Sequence, residues 1–233
     1  MTRQTAALKT FNSDDCSRAI QRIMFITCPI CGDCRGDKTI APDVPCAICP
    51  NCGFRYKFIR SPLFIITGAS GVGKSTVCLG LAAKMKDVVA MESDILGREK
   101  FSQPGTNHRE YRETWLRVCK HISQAGKPVV LCGVGEPIEF EQCRERPYFS
   151  ELHYLALICD DQILASRLRK RPAWRDLSRD KCVNEQVAFN RWLQNNARNT
   201  EPSMTLLDTS KLTADETVVE VVRWIRSLMN GHP

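Results

Sequence analysis

The 233-residue sequence has no run of about 18 apolar residues, so nothing in it reads as a membrane span. Its opening stretch, MTRQTAALKT, lacks an apolar core of signal-peptide length. It also lacks a solenoid-type repeat and any low-complexity tract. These absences leave a globular chain whose expected compartment is the cytoplasm. Hydrophobic residues at 43% and charged residues at 25% are ordinary for that class. The length suits one ordinary domain with an appendage, or two small ones. A net charge of +7 suits an anionic ligand such as a nucleotide or RNA, and equally a plain basic surface.

The sequence is rich in cysteine, with 13, unevenly placed. Six fall between Cys28 and Cys52, whereas Cys78, Cys119, Cys132 and Cys159 sit inside apolar stretches as small hydrophobes of a reducing compartment would. The polar, Cys- and Pro-rich part ends near Ser61-Pro62, since the residue before proline is pushed to extended geometry. Three segments are expected: residues 1–24 as a tail with a short helix (Ser13 as cap, Ala19, Ile20 and Ile23 following), 25–61 around the cysteines, and 62–233 as the main domain.

Past Pro62, apolar runs alternate with helical patterns. Leu63 to Thr67, Asp87 to Met91, Pro128 to Cys132, His153 to Cys159 and Met204 to Asp208 read as strands buried on both faces. Between them, Tyr111, Trp115, Val118 and Ile122 recur at helical spacing, with Gly126 where a C-cap would fall. Ile163, Leu164 and Leu168, then Val187 and Leu193, and finally Val218 to Leu228 mark further helices. This alternation implies right-handed crossovers and a three-layer α/β domain with a five-stranded parallel sheet.

Gly68-Ala69-Ser70-Gly71-Val72-Gly73-Lys74-Ser75 matches GxxxxGK[ST], with a buried strand before it and a helix bearing Thr76, Leu79 and Leu81 after it. Backbone N–H groups of such a loop surround phosphate oxygens, and its glycines keep Cβ atoms out of the cradle. Lys74 is expected on the β- and γ-phosphates of ATP, and the Ser75 hydroxyl on Mg²⁺. Glu92-Ser93-Asp94 closes the second strand, where paired carboxylates face the ligand crevice; the bland alternative is an acidic cap for the next helix. Gly133-Val134-Gly135-Glu136 after the third strand either lets a ligand approach the backbone or makes an ordinary turn. Arg167, Arg169, Lys170 and Arg171 end the helix after the fourth strand, with Arg175 and Arg179 nearby. They could neutralise a transferring phosphoryl group or simply suit the helix dipole.

In this order the features resemble the small P-loop kinases, a group that includes nucleoside monophosphate, shikimate and gluconate kinases. The resemblance spans about Leu63 to Leu228. It implies ATP- and Mg²⁺-dependent transfer of a phosphoryl group to a small-molecule acceptor, a nucleoside or nucleotide first. It places Asp94 by the acceptor hydroxyl, Glu92 near Mg²⁺, Arg171 at the start of a lid and on the phosphates, Arg191 as a second lid arginine, and Asp208 in a loop that contacts adenine. No nucleotide-monophosphate recognition motif stands between Asp94 and Trp115, and no shikimate-type arginine pattern is evident. The alternatives are a kinase for RNA or DNA ends and a regulatory ATP-binding module.

Cys28-Pro29-Ile30-Cys31 and Cys49-Pro50-Asn51-Cys52 are two CPxC turns, each followed by glycine, in the arrangement C-x₂-C-x₁₇-C-x₂-C. Four thiolates at that spacing suit a closed, structural Zn²⁺ site. The segment resembles a zinc ribbon. Cys34 and Cys46 also make x₂ spacings and could shift the ligand set; an iron–sulfur cluster and disulfides are the other options. Phe54, Tyr56 and Phe58 alternate with basic residues, as on a half-buried strand. The ribbon is expected to be a folding staple, with stacking on a nucleic acid as the competing role.

Overall fold

The computed structural model describes residues 26–36, 38–41, 44–96, 108–172 and 179–230. The helix expected around Ser13 to Ile23 lies outside them. The chain divides into two compact units, Met1–Arg60 and Ser61–Pro233. No described helix is long and apolar enough to cross a membrane.

In the first unit, three short strands, β1 (Thr39–Ile40), β2 (Cys46–Ile48) and β3 (Arg55–Lys57), form an antiparallel sheet in sequence order. Two turns of the same build bring in the cysteines. In the first, Cys28 N–H donates to Asp33 O and Gly32 N–H to Cys28 O; in the second, Cys49 N–H donates to Phe54 O and Gly53 N–H to Cys49 O. Gly32 and Gly53 have φ of 71° and 74°, a left-handed conformation that makes glycine the fitting residue at both places. Tyr56 and Phe58, 6% and 4% exposed, face inward, so they offer no platform on which bases could stack.

The second unit is a five-stranded parallel sheet, β4 (Leu63–Gly68), β5 (Val89–Glu92), β6 (Val129–Cys132), β7 (Leu152–Ile158) and β8 (Thr205–Asp208), in the order β5-β6-β4-β7-β8. Every strand foreseen is present, within two residues of its expected start and one of its expected end. β4 is buried at all six positions, as a central parallel strand requires. On one face of the sheet, Phe64, Ile66, Val130, Leu155 and Leu157 pack with Leu81 of α1 (Lys74–Lys84) and with Val218, Val221 and Ile225 of α6 (Ala214–Met229). Each such side chain contributes roughly 1.5–3 kcal/mol on burial. The two helices cross at Gly80, where a Cβ would lie 2.4 Å from Val218 Cγ2. Leu79 points to solvent.

The helix α2 (His108–Ser123) buries Trp115, Leu116, Cys119, Lys120 and Ser123, so its inner face is rotated from the Tyr111–Ile122 stripe that the sequence suggests. Gly126, at φ 80°, follows as the expected terminator. The short helix α3 (Pro137–Glu141), opened by a capping box between Glu136 and Glu139, was not legible in the sequence. α4 (Asp161–Arg169) and α5 (Asp180–Asn196) complete the unit.

One polar residue pins α5 to the sheet. Asn190 is fully buried; its Oδ1 accepts from Cys159 N–H at 3.2 Å, and its Nδ2 donates to Cys159 O at 2.7 Å and Asp161 Oδ1 at 3.0 Å. Removing the amide strands buried backbone groups at the end of β7. Asn190→Ala is therefore expected to lose about 2–3 kcal/mol of stability, read as a lower urea midpoint at unchanged slope.

Candidate functional site

β4 delivers the chain to Gly68 in the middle of the sheet, and α1 starts at Lys74. Gly68 has φ of 146°, and a Cβ there would lie 2.6 Å from Leu157 O and 2.8 Å from Val72 Cγ2. Gly73, the residue before α1, is left-handed at φ 113°. Lys74 arches back over the loop, its Nζ donating to Gly68 O at 2.6 Å and Ala69 O at 3.0 Å. Burial pulls its ammonium down to about 8; Asp94, Cys132 and Glu92 act to raise it and Arg171 to lower it. Asp94, Glu92 and Arg171 thus all act on Lys74, although the four residues come from three separate stretches of chain. Ser75 and Thr76 are exposed on the first turn of α1.

The loop has a partner that sequence reading missed. Ser70 N–H donates to Gln186 Oε1 of α5 at 2.6 Å. A glutamine in the middle of an amphipathic helix gives no signal without knowing that α5 passes the loop.

Beside the loop lies a cavity of about 220 Å³, lined among others by Gly71, Val72, Gly73, Thr76, Arg167 and Thr209. Asp208 stands next to it, its carboxylate taken up by the backbone N–H and hydroxyl of Ser210. Thr209 rather than Asp208 is in the wall. Arg167 lies beside it in the lining, its Nη2 donating to Thr209 O at 3.5 Å. Arg171 is half-buried just past α4. Arg191 is engaged elsewhere, on Asp161 of α4, whose carboxyl is held below the usual range despite partial burial. Arg175 lies outside the described residues.

On the other side of the loop, Glu92 ends β5 and Asp94 is exposed in the 3₁₀ turn Ser93–Leu96. Tyr111 of α2 steadies this turn through its hydroxyl on Ser93 O at 2.6 Å. The glycines after β6 serve packing. A Cβ on Gly133 would lie 2.4 Å from Ser93 Oγ, and one on Gly135 2.5 Å from Phe140 Cε2. The space a Cβ would take is occupied by protein side chains.

In the first unit, the sulfur atoms of Cys28, Cys31, Cys49 and Cys52 all lie within 4.8 Å of one another. Cys28 and Cys52 are 3.6 Å apart and Cys31 and Cys49 3.7 Å. A tetrahedron with metal–sulfur bonds of about 2.3 Å has edges of about 3.8 Å, whereas a disulfide closes to about 2.05 Å. The donor set therefore fits a tetrahedral thiophilic ion. Cys34 and Cys46 are outside this group, the first exposed and the second buried with its thiol on Ala47 O. The Asp33 backbone N–H holds Cys31 down to about 6.

The parallel sheet and the loop on its central strand define a P-loop domain with the fold of the small kinases. The chain belongs to the family described as AAA domain, which matches residues 65–187, more than half of its length. No curated protein matches it in sequence. Among solved structures it is similar to a sugar kinase from a Janibacter species (16% identity, 72% of this chain and 95% of that one, TM-score 0.52). It is similar to the tunicamycin resistance protein of Deinococcus radiodurans (18%, 71% and 96%, TM-score 0.54). It is also similar to shikimate kinase from Acinetobacter baumannii in complex with shikimate (18%, 75% and 96%, TM-score 0.50). At these identities the likeness establishes the fold.

The position of Lys74 has a measurable consequence. Phosphate oxygens arriving at its ammonium raise a pKa that starts at about 8, so binding takes up protons between there and the usual 10.5. Calorimetry of ATP binding at pH 8 in buffers of different ionisation enthalpy should show uptake of about half a proton, fading towards pH 6. Affinity should fall as pH rises above 8.

Proposed function

We propose that this protein transfers the γ-phosphoryl group of ATP to the hydroxyl of a small molecule. The observation that carries the reading is the convergence on Lys74 of two carboxylates, Glu92 and Asp94, and one guanidinium, Arg171, at the carboxyl edge of the sheet. A P-loop used only as a switch has no need of an acid pair facing it. The loop amides from Gly71 to Ser75 hold the phosphates, Lys74 and Arg171 offset their charge, and the cavity by Arg167 and Thr209 takes the base. Ser75 and Glu92 are the donors for Mg²⁺, which when bound neutralises phosphate charge. Asp94 orients the acceptor hydroxyl and takes its proton as the new P–O bond forms and the bond to ADP breaks.

The Cys28, Cys31, Cys49 and Cys52 set holds one Zn²⁺ as the staple of the first unit, consistent with three strands of two or three residues that enclose little core. The inward rings of Tyr56 and Phe58 speak for this over strand binding.

Asp94→Asn should lower kcat by about 10²–10⁴-fold while ATP affinity changes little, tested by ATP titration beside steady-state kinetics with a working acceptor. Full kcat in the variant would reduce Asp94 to a surface acid; a parallel loss of ATP binding would move its role to the metal. Elemental analysis should find about one zinc per chain, lost in Cys28→Ser and kept in Cys34→Ser. Iron, or a folded protein with no metal, contradicts this.

A further inference from the structure

We infer that the acceptor is an alcohol without negative charge that presents an apolar face to the protein, a nucleoside-like rather than a nucleotide-like molecule. This rests on the phosphoryl-transfer reading and narrows it.

Three short segments border the crevice on the Asp94 side of the loop: the turn Ser93–Leu96, residues 133–136, and the start of α3. They are locked to one another and to the loop. Glu92 pairs in register with Cys132, and Gly133 packs directly on Ser93. Gly135 N–H donates at 3.3 Å to Thr67 Oγ1, on the residue just before Gly68. Side chains displayed by these segments therefore stand beside the phosphate cradle.

What they display is of two kinds. One is carboxylate: Glu92, Asp94 and Glu136. Burial, reinforced by Glu139, holds Glu136 above the usual carboxylate range. The other is apolar. Ile95, Val134 and Ile138 are 65%, 56% and 48% exposed, and they are three of the five large hydrophobics that the second unit exposes among its described residues. A single exposed hydrophobic residue is ordinary; three on segments held together beside the loop, among carboxylates, offer a surface suited to an apolar ligand face with a few polar groups to orient it.

Residues 92–96 and 133–139 contain no lysine or arginine. Arg112, on the neighbouring α2, is bonded to Glu139 at 3.0 Å, a contact within the protein. Lys74 and Arg171 belong to the phosphate side. Among the described residues, a carboxylate or phosphate on the acceptor would thus face Glu92, Asp94 and Glu136 beside the phosphates of ATP, a like-charge juxtaposition that disfavours such ligands. A neutral or cationic alcohol meets no such penalty and covers the apolar residues.

The test uses the full chain saturated with Mg²⁺ and a non-hydrolysable ATP analogue, titrated by calorimetry with matched pairs. The pairs are nucleosides against their 5′-monophosphates, and phenyl-substituted amino alcohols against the corresponding hydroxy acids. Within at least one pair the uncharged or cationic member should bind about tenfold tighter or more, and in no pair should the anion win. Val134→Lys should shift that ratio about tenfold towards the anionic member. Equal or tighter binding of the anions, binding of neither member of any pair, or an unmoved ratio in Val134→Lys overturns the inference. Failure of the kinase reading looks different: the uncharged member binds, yet receives no phosphoryl group from ATP.

Discussion

At Gly68 the chain leaves the sheet through a gap that admits no side chain. The Leu157 carbonyl oxygen of β7 occupies one side and Val72 the other, each within 3 Å of where a Cβ would be. That approach lets the loop fold tightly back over the end of β4 and start a helix at Lys74, with its amides and its one ammonium on the same side. The buried position of β4 makes this rigid: all six of its residues are enclosed and it is hydrogen-bonded on both edges, to β6 and β7. A cradle for phosphate works only if its N–H groups are held ready, and here the sheet holds them.

Strand order then divides the labour. The chain runs from β4 out to the edge at β5, returns to β6 beside β4, and crosses to β7 and β8 on the other side. Everything after β5 and β6 (Glu92, Asp94, Ile95, Val134, Glu136) gathers on one flank of the loop, and everything after β7 and β8 (Arg167, Thr209) on the other. The crevice at the carboxyl ends of a parallel sheet is where ligands sit in such folds. Acidic and apolar groups lie on one flank, a cavity of about 220 Å³ on the other, and an ammonium between them. Gln186, whose Oε1 accepts from Ser70 N–H, ties α5 to the loop.

The first unit solves a different problem. Its strands are too short to enclose much apolar area, and its order is carried by two glycine-ended turns that aim four sulfur atoms at one point. Spacing foretold which four, because a CPxC turn places its two thiols together whatever surrounds it. Spacing could not say that Cys34 and Cys46 stand apart, since that depends on where β2 runs and where the first turn ends.

Sequence alone determined the local and periodic features: the five strands (though the edge strands β5 and β8 are only partly buried, not enclosed on both faces as expected), the glycine pattern at Gly68, Gly71 and Gly73 with Lys74 and Ser75, and the cysteine pairs. These follow from forces that act within a few residues, namely backbone sterics, burial patterning and turn geometry. The rotated face of α2, the packing of Gly133 on Ser93, the seating of Arg191 on Asp161, and the meeting of Gln186 with Ser70 were decided only by tertiary structure. Each depends on which element lies alongside, through contacts between residues from 18 to 116 positions apart that no short-range pattern encodes.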